Sequence, residues 1–596
     1  MALKIEDYAL IGDCQTAGLV GRDGSIDWLC FPRFDSGACF AGLLGTPEHG
    51  RWQIAPAGPA GRVTRAYRGD TLVLETTFET ETGAVTVIDC MPIRTAQPDV
   101  VRVVRGLRGA VRMRTHLVIR FDYGSITPWV TRDDGMLRAV GGPDALALRT
   151  PVALHAEGWA TTGEFVVEQG DEVPFVLSWH LSHEPPPAPI DAVAAIESTT
   201  EWWREWSARC TYQGEWRDAV LRSLITLKAL TYGPTGGIIA APTTSLPEHL
   251  GGERNWDYRY CWLRDSTFTL AALLQSGYDD EAKAWREWLL RAVAGRGEEL
   301  HIMYGLSGER RLPERELEWL PGYENSAPVR IGNAAHHQFQ LDVFGEVLDC
   351  LYLARRSGLD EGWGDWRIER ELLDRLESVW ERPDEGIWEI RGAKQHFTHS
   401  KLMAWVAFDR AIKDVERFGV DGPVDAWRRL RDQIHREVCE RGFNRERGAF
   451  VQHYGSTEVD ASLLMMCEVG FLPAADPRIT GTVAAIERDL VRGGFVDRYR
   501  TASGVDGLPR GEGAFLLCTF WLADNYALMG RQSEARDIFE RVLAIRNDVG
   551  LLAEEYDPVA RRQLGNFPQA FSHLGLINTA RNLTQPDKPA TSRQSA

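Results

Sequence analysis

At 596 residues the chain is too long for a single hydrophobic core and is expected to divide into two or three domains. It is 44% hydrophobic and 26% charged, as globular proteins are, and its net charge of −18 disfavours nucleic acid and anionic membrane surfaces as partners. No uncharged apolar run reaches the roughly 20 residues of a membrane span, and the stretch from Met1 to Tyr8 lacks the basic-then-apolar pattern of a signal peptide, so a cytoplasmic location is expected.

From about residue 5 to 190 the hydrophobic pattern has period two. Thr71 to Glu79, a turn at Thr82-Gly83, and Ala84 to Ile88 predict a hairpin. Val100 to Tyr123, Leu137 to Leu148 and Glu164 to Leu181 continue the alternation with Gly and Asp between them. Many short strands without helices between them predict an antiparallel β-sandwich over 1–190. Pro185-Pro186-Pro187 breaks the chain, and Asp191 to Cys210 predicts a helix within a linker at 191–214. Beyond it, 215–584 has helical periodicity, with about twelve segments centred near 225, 269, 287, 344, 373, 406, 431, 463, 484, 522, 539 and 576. Gly277 and Gly530 each follow an apolar helix end and precede a new helix within four residues, so both predict left-handed caps of helical hairpins. Hairpins of this kind can close into six inner and six outer helices. The fold class is therefore α+β and multidomain, a β-sandwich followed by an (α/α)6 barrel. The polar segment 585–596 predicts a disordered tail.

The ten cysteines are scattered, with no C-x-x-C pair, and predict reduced, buried thiols. The 21 tryptophans offer flat faces that suit pyranose rings, although they suit large cores equally well.

Two carboxylates in different surroundings carry the chemistry. Glu389 follows Trp388 at the end of a Gly386-containing turn, ahead of a helix expected around Ser400 to Arg410. An acid against an indole is partly desolvated, which suits a proton donor. Glu554-Glu555 is a doublet in which alternation lets only one carboxylate point inward. Such a pair suits glycosidic hydrolysis, with one acid protonating the leaving oxygen and one base activating water on the opposite face. Taken singly, each is also readable as a solvated loop glutamate or a surface acidic patch.

Asn255 to Asp265 is the densest cluster, with Tyr258, Trp262, Arg264 and Asp265 ahead of a helix. An Arg-Asp pair can grip vicinal hydroxyls through the guanidinium fork and the accepting carboxylate. Its structural alternative is a buried ion pair stapling a loop. Glu512, between Gly511 and Gly513, is a substrate ligand or a charge favoured by a helix dipole. Gly332 to Gln338 and Gly565 to His573 each open a helix with Asn, Gln and His available for hydroxyls. His336-His337 diverge on a helix and have no third ligand at zinc spacing, so no metal is expected, and no phosphate loop of Walker or dinucleotide type is present.

Taken together, these segments resemble the glucoamylase/trehalase family of inverting glycoside hydrolases, family 15, and its bacterial trehalase-like branch. The resemblance spans nearly the whole chain. It rests on Ile5 to Tyr8, Gly18 to Trp28, the Arg264-Asp265 cluster, Pro328 to Asn333, Trp388-Glu389, His396 to Lys401, Gly511-Glu512-Gly513 and Gly565 to His573. It implies removal of single glucose units with inversion, Glu389 as general acid and Glu554 as general base, with Glu555 where relatives often have Gln. Tyr258, Trp262, Arg264 and Asp265 would line the innermost glucose subsite, with Trp388, Glu512 and Glu555 as further substrate-binding candidates. Arg510 stands where a small residue is expected and would reshape the outer subsite. The expected substrate is α,α-trehalose, ahead of malto- or isomalto-oligosaccharides; a disaccharide phosphorylase and an inactive sugar-binding protein are the remote alternatives. No cofactor is expected, the partner is a small glucoside, and a homo-oligomer is compatible with the sequence.

Overall fold

A computed structural model describes residues 2–133, 135–295, 297–359 and 365–584. The expected tail at 585–596 lies outside the described residues.

The N-terminal third is a fifteen-stranded antiparallel assembly organised on one long strand, Asp99–Val118. The first half of this strand pairs with Gly83–Cys90 and Glu172–Leu181, and the second half with Arg51–Pro56 and Ala160–Glu168. The two halves thus belong to two sheets. Trp52 and Phe165 of one sheet meet Phe175 of the other, with ring centroids 6.3 and 5.5 Å apart. The expected hairpin forms as Leu74–Glu79 with Gly83–Cys90. The long strand stops earlier than the pattern to Tyr123 suggested. Asp122, Tyr123 and Gly124 all take left-handed backbone angles, and the chain turns back so that Phe121 bridges Ile126.

Asp191 accepts from the amides of Val193 (2.9 Å) and Ala194 (3.0 Å) and so caps the helix Ala192–Ala208. Thereafter buried and half-buried helices alternate. Leu516–Leu528 buries 12 of its 13 residues, whereas the following Gln532–Ala544 buries 4 of 13. Likewise Asp342–Arg356 buries 14 of 15, and Val424–Arg441 only 3 of 18. An all-round apolar helix must be enclosed, and an amphipathic one must face water. The enclosed segments, Ser266–Leu274, Asp342–Arg356, Thr398–Phe418, the turn at Ala461–Leu464, Leu516–Leu528 and Ala570–Thr584, touch one another in a closed cycle.

Glycine sets the hairpins. Gly277 (φ 85°) and Gly530 (φ 78°) end their helices as expected, and Tyr278 and Arg531 donate back to Leu273 and Tyr526 (3.0 and 2.8 Å). The segment expected near 463 is shorter than its neighbours, a 3-10 turn followed by Met465–Glu468. Asp460 starts it by accepting from Ser462, and Gly470 (φ 84°) stops it ten residues later, so little helix fits between. Gly332 to Gln338 forms only a 3-10 turn, Ala334–His337, and the helix begins at Asp342.

Candidate active site

The stretch from Asn255 to Trp262 crosses the mouth of the helical region in extended form, with its side chains alternating. Asp257 and Arg259 point one way and pair at 2.7 Å, both buried, and Arg259 also donates to the Ser36 carbonyl at 3.0 Å. This pair therefore staples the loop to the N-terminal sheets. Tyr258 and Trp262 point the other way, edge to face, with centroids 5.2 Å apart.

Glu389 sits in a tight turn that closes through its amide to the Gly386 carbonyl at 3.1 Å. Its φ of 58° is unusual for a residue with a side chain, and such strain collects at functional sites. Gln338 holds the turn by donating to the carbonyls of Glu389 (3.2 Å) and Ile390 (3.0 Å). The Trp388 indole donates to buried Asp460 at 2.9 Å, which fixes the neighbouring ring as a wall. At the carboxylate, Trp262 Nε1 (2.7 Å) and Arg264 Nη1 (3.4 Å) both donate to Oε1. Oε2 receives neither donor.

Glu554 precedes the strand Glu555–Asp557, which is paired on both sides. Its Oε1 accepts from the Tyr258 hydroxyl at 2.7 Å, and Oε2 faces the Asn566 amide at 3.4 Å. Gly565 is required here: its φ is 73°, and a Cβ on it would lie 2.5 Å from Glu554 Oε2. Burial and the nearby Glu248 charge push Glu554 up to about 8, against the pull of Arg498, Tyr258 and the Asn566 amide. Burial likewise raises Asp265 to about 6, opposed by Arg264 at 3.2 Å.

Between these carboxylates lies a pocket of about 520 Å3, within the ~300–1,000 Å3 usual for small-ligand sites. Tyr258, Arg264, Trp388 and Glu389 line it, joined by Trp256, Asn333, Arg391, Arg498, Tyr499 and Phe515, among others. Trp262, Asp265 and Glu554 stand immediately behind that lining and act on it through Glu389, Arg264 and Tyr258. Arg510 is exposed, near the lining residue Leu508.

Glu512 and Glu555 lie deeper, on Arg498. Arg498 Nη2 is 2.7 Å from Glu248, 2.6 Å from Glu512 and 3.5 Å from Glu555. These three carboxylates approach within 4.8 Å of one another, as ligands of a cation would, and the guanidinium occupies the point on which they converge. Glu555 also accepts from the Gly513 amide at 2.8 Å, and burial pushes its carboxyl well above the usual range. Neither a helix dipole nor the pocket wall accounts for Glu512; its partners are Arg498 and Arg254.

Sequence reasoning missed Glu248, Trp256, Arg391, Asp460 and Arg498. Arg498 stands in Asp497-Arg498-Tyr499-Arg500, which reads as a solvated charge run. Trp256 lies within the dense cluster, yet only the fold shows it clamped between the guanidiniums of Arg330 and Arg391, each 4.8 Å from its ring.

Comparison with known proteins fits this geometry. The family description Glycosyl hydrolases family 15 matches residues 214–581. The chain belongs to this family. A family-15 chain with this N-terminal region is not isolated, since residues 1–189 match the trehalase-like N-terminal domain. A trehalase of Mycobacterium tuberculosis is 38% identical over 99% of this chain and 91% of its own length. A trehalase of Thermoplasma volcanium is 34% identical over 99% of this chain and 95% of its own. A bacterial glucoamylase solved with acarbose shares the fold, with a TM-score of 0.75 at 13% identity over 100% of this chain and 96% of that one. Among the described residues no helix of this family-15 protein is long and apolar enough to cross a membrane.

Proposed function

We propose that this glycoside hydrolase is an inverting, exo-acting α-glucosidase that splits α,α-trehalose into two glucose molecules. The observation that carries the reading is the pair of carboxylates held by two adjacent rings, Glu389 by Trp262 and Glu554 by Tyr258. Glu389 Oε2 carries the proton to the glycosidic oxygen as the C1–O bond breaks. Glu554 takes a proton from the water that adds to C1 on the opposite face, so one water is consumed and C1 inverts. Arg264, beside Glu389, and Asp265 bind hydroxyls of the innermost glucose, and Trp388 stacks on its face. Glu512 and Glu555 act on the substrate through Arg498.

Trehalose is favoured over longer α-glucans by the full-length similarity to trehalases and by the Trp256–Arg391 wall, which bounds the pocket beyond the first ring. The alternation and closed cycle of helices support an (α/α)6 barrel at 215–584 behind a β-sandwich at 1–190 and a linker at 191–214. The limits of the two family matches support the same division. A cytoplasmic location belongs to this reading and is supported by nine of ten cysteines being buried.

Proton NMR of the anomeric signals tests it, with trehalose, maltose and isomaltose in parallel. Trehalose consumed with equal initial α- and β-glucose is the expected result. Trehalose untouched while maltose or isomaltose releases β-glucose first would keep the inverting mechanism and replace the substrate.

A further inference from the structure

A second cleft lies wholly within the N-terminal sheets. It is bounded by the end of the long strand (Leu117, Arg120), the strand Trp129–Asp133 and the hairpin of His155–Glu157 with Ala160–Glu168. All its lining residues fall between 117 and 161, whereas those of the catalytic pocket fall between 248 and 515.

Three features of this cleft are costly unless something binds there. Trp129 and Trp159 are 85% and 75% exposed, the two most exposed aromatic residues among the large hydrophobics, and they stand on opposite edges of the cleft. Gly158 (φ 60°) makes the turn that carries Trp159 out into water. At the cleft wall Arg120 is only 6% exposed, and its one hydrogen bond among the described residues runs from Nη1 to the adjacent Ile119 carbonyl at 2.7 Å. No carboxylate of the described residues forms an ion pair with it; Glu48 acts on it only from farther away. A buried guanidinium normally has an anionic partner. Finally, the lining includes Arg120, Arg132 and His155 and no Asp or Glu, although the chain as a whole carries −18.

We infer that this cleft is a second binding site, for a pyranoside that carries an anionic group. The indoles stack on the apolar faces of the sugar, and Arg120 receives its phosphate, sulfate or carboxylate in a charge-assisted bond. The hydroxyls of Thr127 and Thr161 border the same space. A recessed guanidinium is reached by a substituent projecting from a small ligand rather than by a flat protein surface.

Isothermal titration of the full chain with glucose 6-phosphate, glucuronate, glucose and inorganic phosphate tests the site. Glucose 6-phosphate or glucuronate should bind, and Arg120→Met and Trp159→Ala should each weaken that binding tenfold or more. Both variants should keep the parent rate of trehalose hydrolysis. Trp159 is a turn residue in solvent, so its variant reports even if the Arg120 change disturbs folding. Binding unchanged by Trp159→Ala, glucose as tight as its anionic derivatives, or no binding of any probe would overturn the site. So would a dimer in sedimentation that Trp129→Ala dissociates, because a second copy would then cover the cleft.

Discussion

Tyr258 and Trp262 lie edge to face, 5.2 Å apart, and each spends its single polar proton on a different carboxylate: the phenol on Glu554 and the indole on Glu389, both at 2.7 Å. One rigid aromatic pair thus sets the spacing of the acid and the base. The two glutamates come from remote loops, and neither would hold its geometry alone.

Replacing either carboxylate should stop the chemistry, while replacing its ring partner should only loosen it. Glu389→Gln and Glu554→Gln are expected to lower kcat on the order of 10²–10⁴-fold with substrate binding retained. Tyr258→Phe removes one hydrogen bond to a charged group, typically ~1.5–3 kcal/mol, so a fall of about 10- to 100-fold is expected. Steady-state kinetics beside thermal melts separates these outcomes from unfolding. Near-parent activity in Glu554→Gln would remove it as the base.

The base must be ionised to act, and burial holds Glu554 up to about 8. Activity should therefore decline as pH falls below that value, on an acidic limb well above the usual carboxylate range. A profile of kcat/KM against pH measures it, and Tyr258→Phe should move the limb further up, because the phenol favours the ionised form. A limb near pH 4 in the parent enzyme would contradict this.

Acid should also unfold the protein from the site outward. His573 Nε2 accepts from the Leu552 amide at 3.3 Å and Nδ1 bonds Ser223 at 2.9 Å, so the buried ring is neutral and its pKa is lowered to about 3. Buried His399 is lowered to about 3 as well. A lowered imidazole contributes stability in full above its unfolded value of ~6.5 and loses it as pH falls toward the folded value, at up to about 1.4 kcal/mol per pH unit for each ring. Glu554 has the opposite sign: raised by burial, it contributes below ~4.5 and loses its contribution as pH rises through about 8. Denaturant melts from pH 7 to 5 should show the loss, and His573→Gln should make it shallower.

The outer wall should govern substrate choice. Trp256→Ala frees Arg330 and Arg391 from the ring they enclose and opens the pocket beyond the first glucose. We expect KM for trehalose to rise roughly tenfold, the scale of one aromatic contact, with a smaller change in kcat. Measurable activity gained on maltose would show that this ring excludes longer or differently linked glucosides. A proportional loss in kcat alone would assign Trp256 to the chemistry instead.

The sequence by itself determined the period-two region, the alternation of helices and the two acidic motifs, because each rests on local properties. Side-chain direction repeats every two or 3.6 residues, and Gly277 and Gly530 end helices through backbone freedom alone. It also brought forward Tyr258, Trp262, Arg264 and Trp388, since aromatic and charged residues crowded into one short segment are conspicuous. Only the tertiary structure decided which glutamate of the doublet meets Tyr258 and which meets Arg498, because burial from several segments sets that choice. The same holds for Arg498, Glu248, Asp460 and the Trp256 clamp. Their partners lie tens to hundreds of positions away, so no local pattern separates them from ordinary surface charges and core rings.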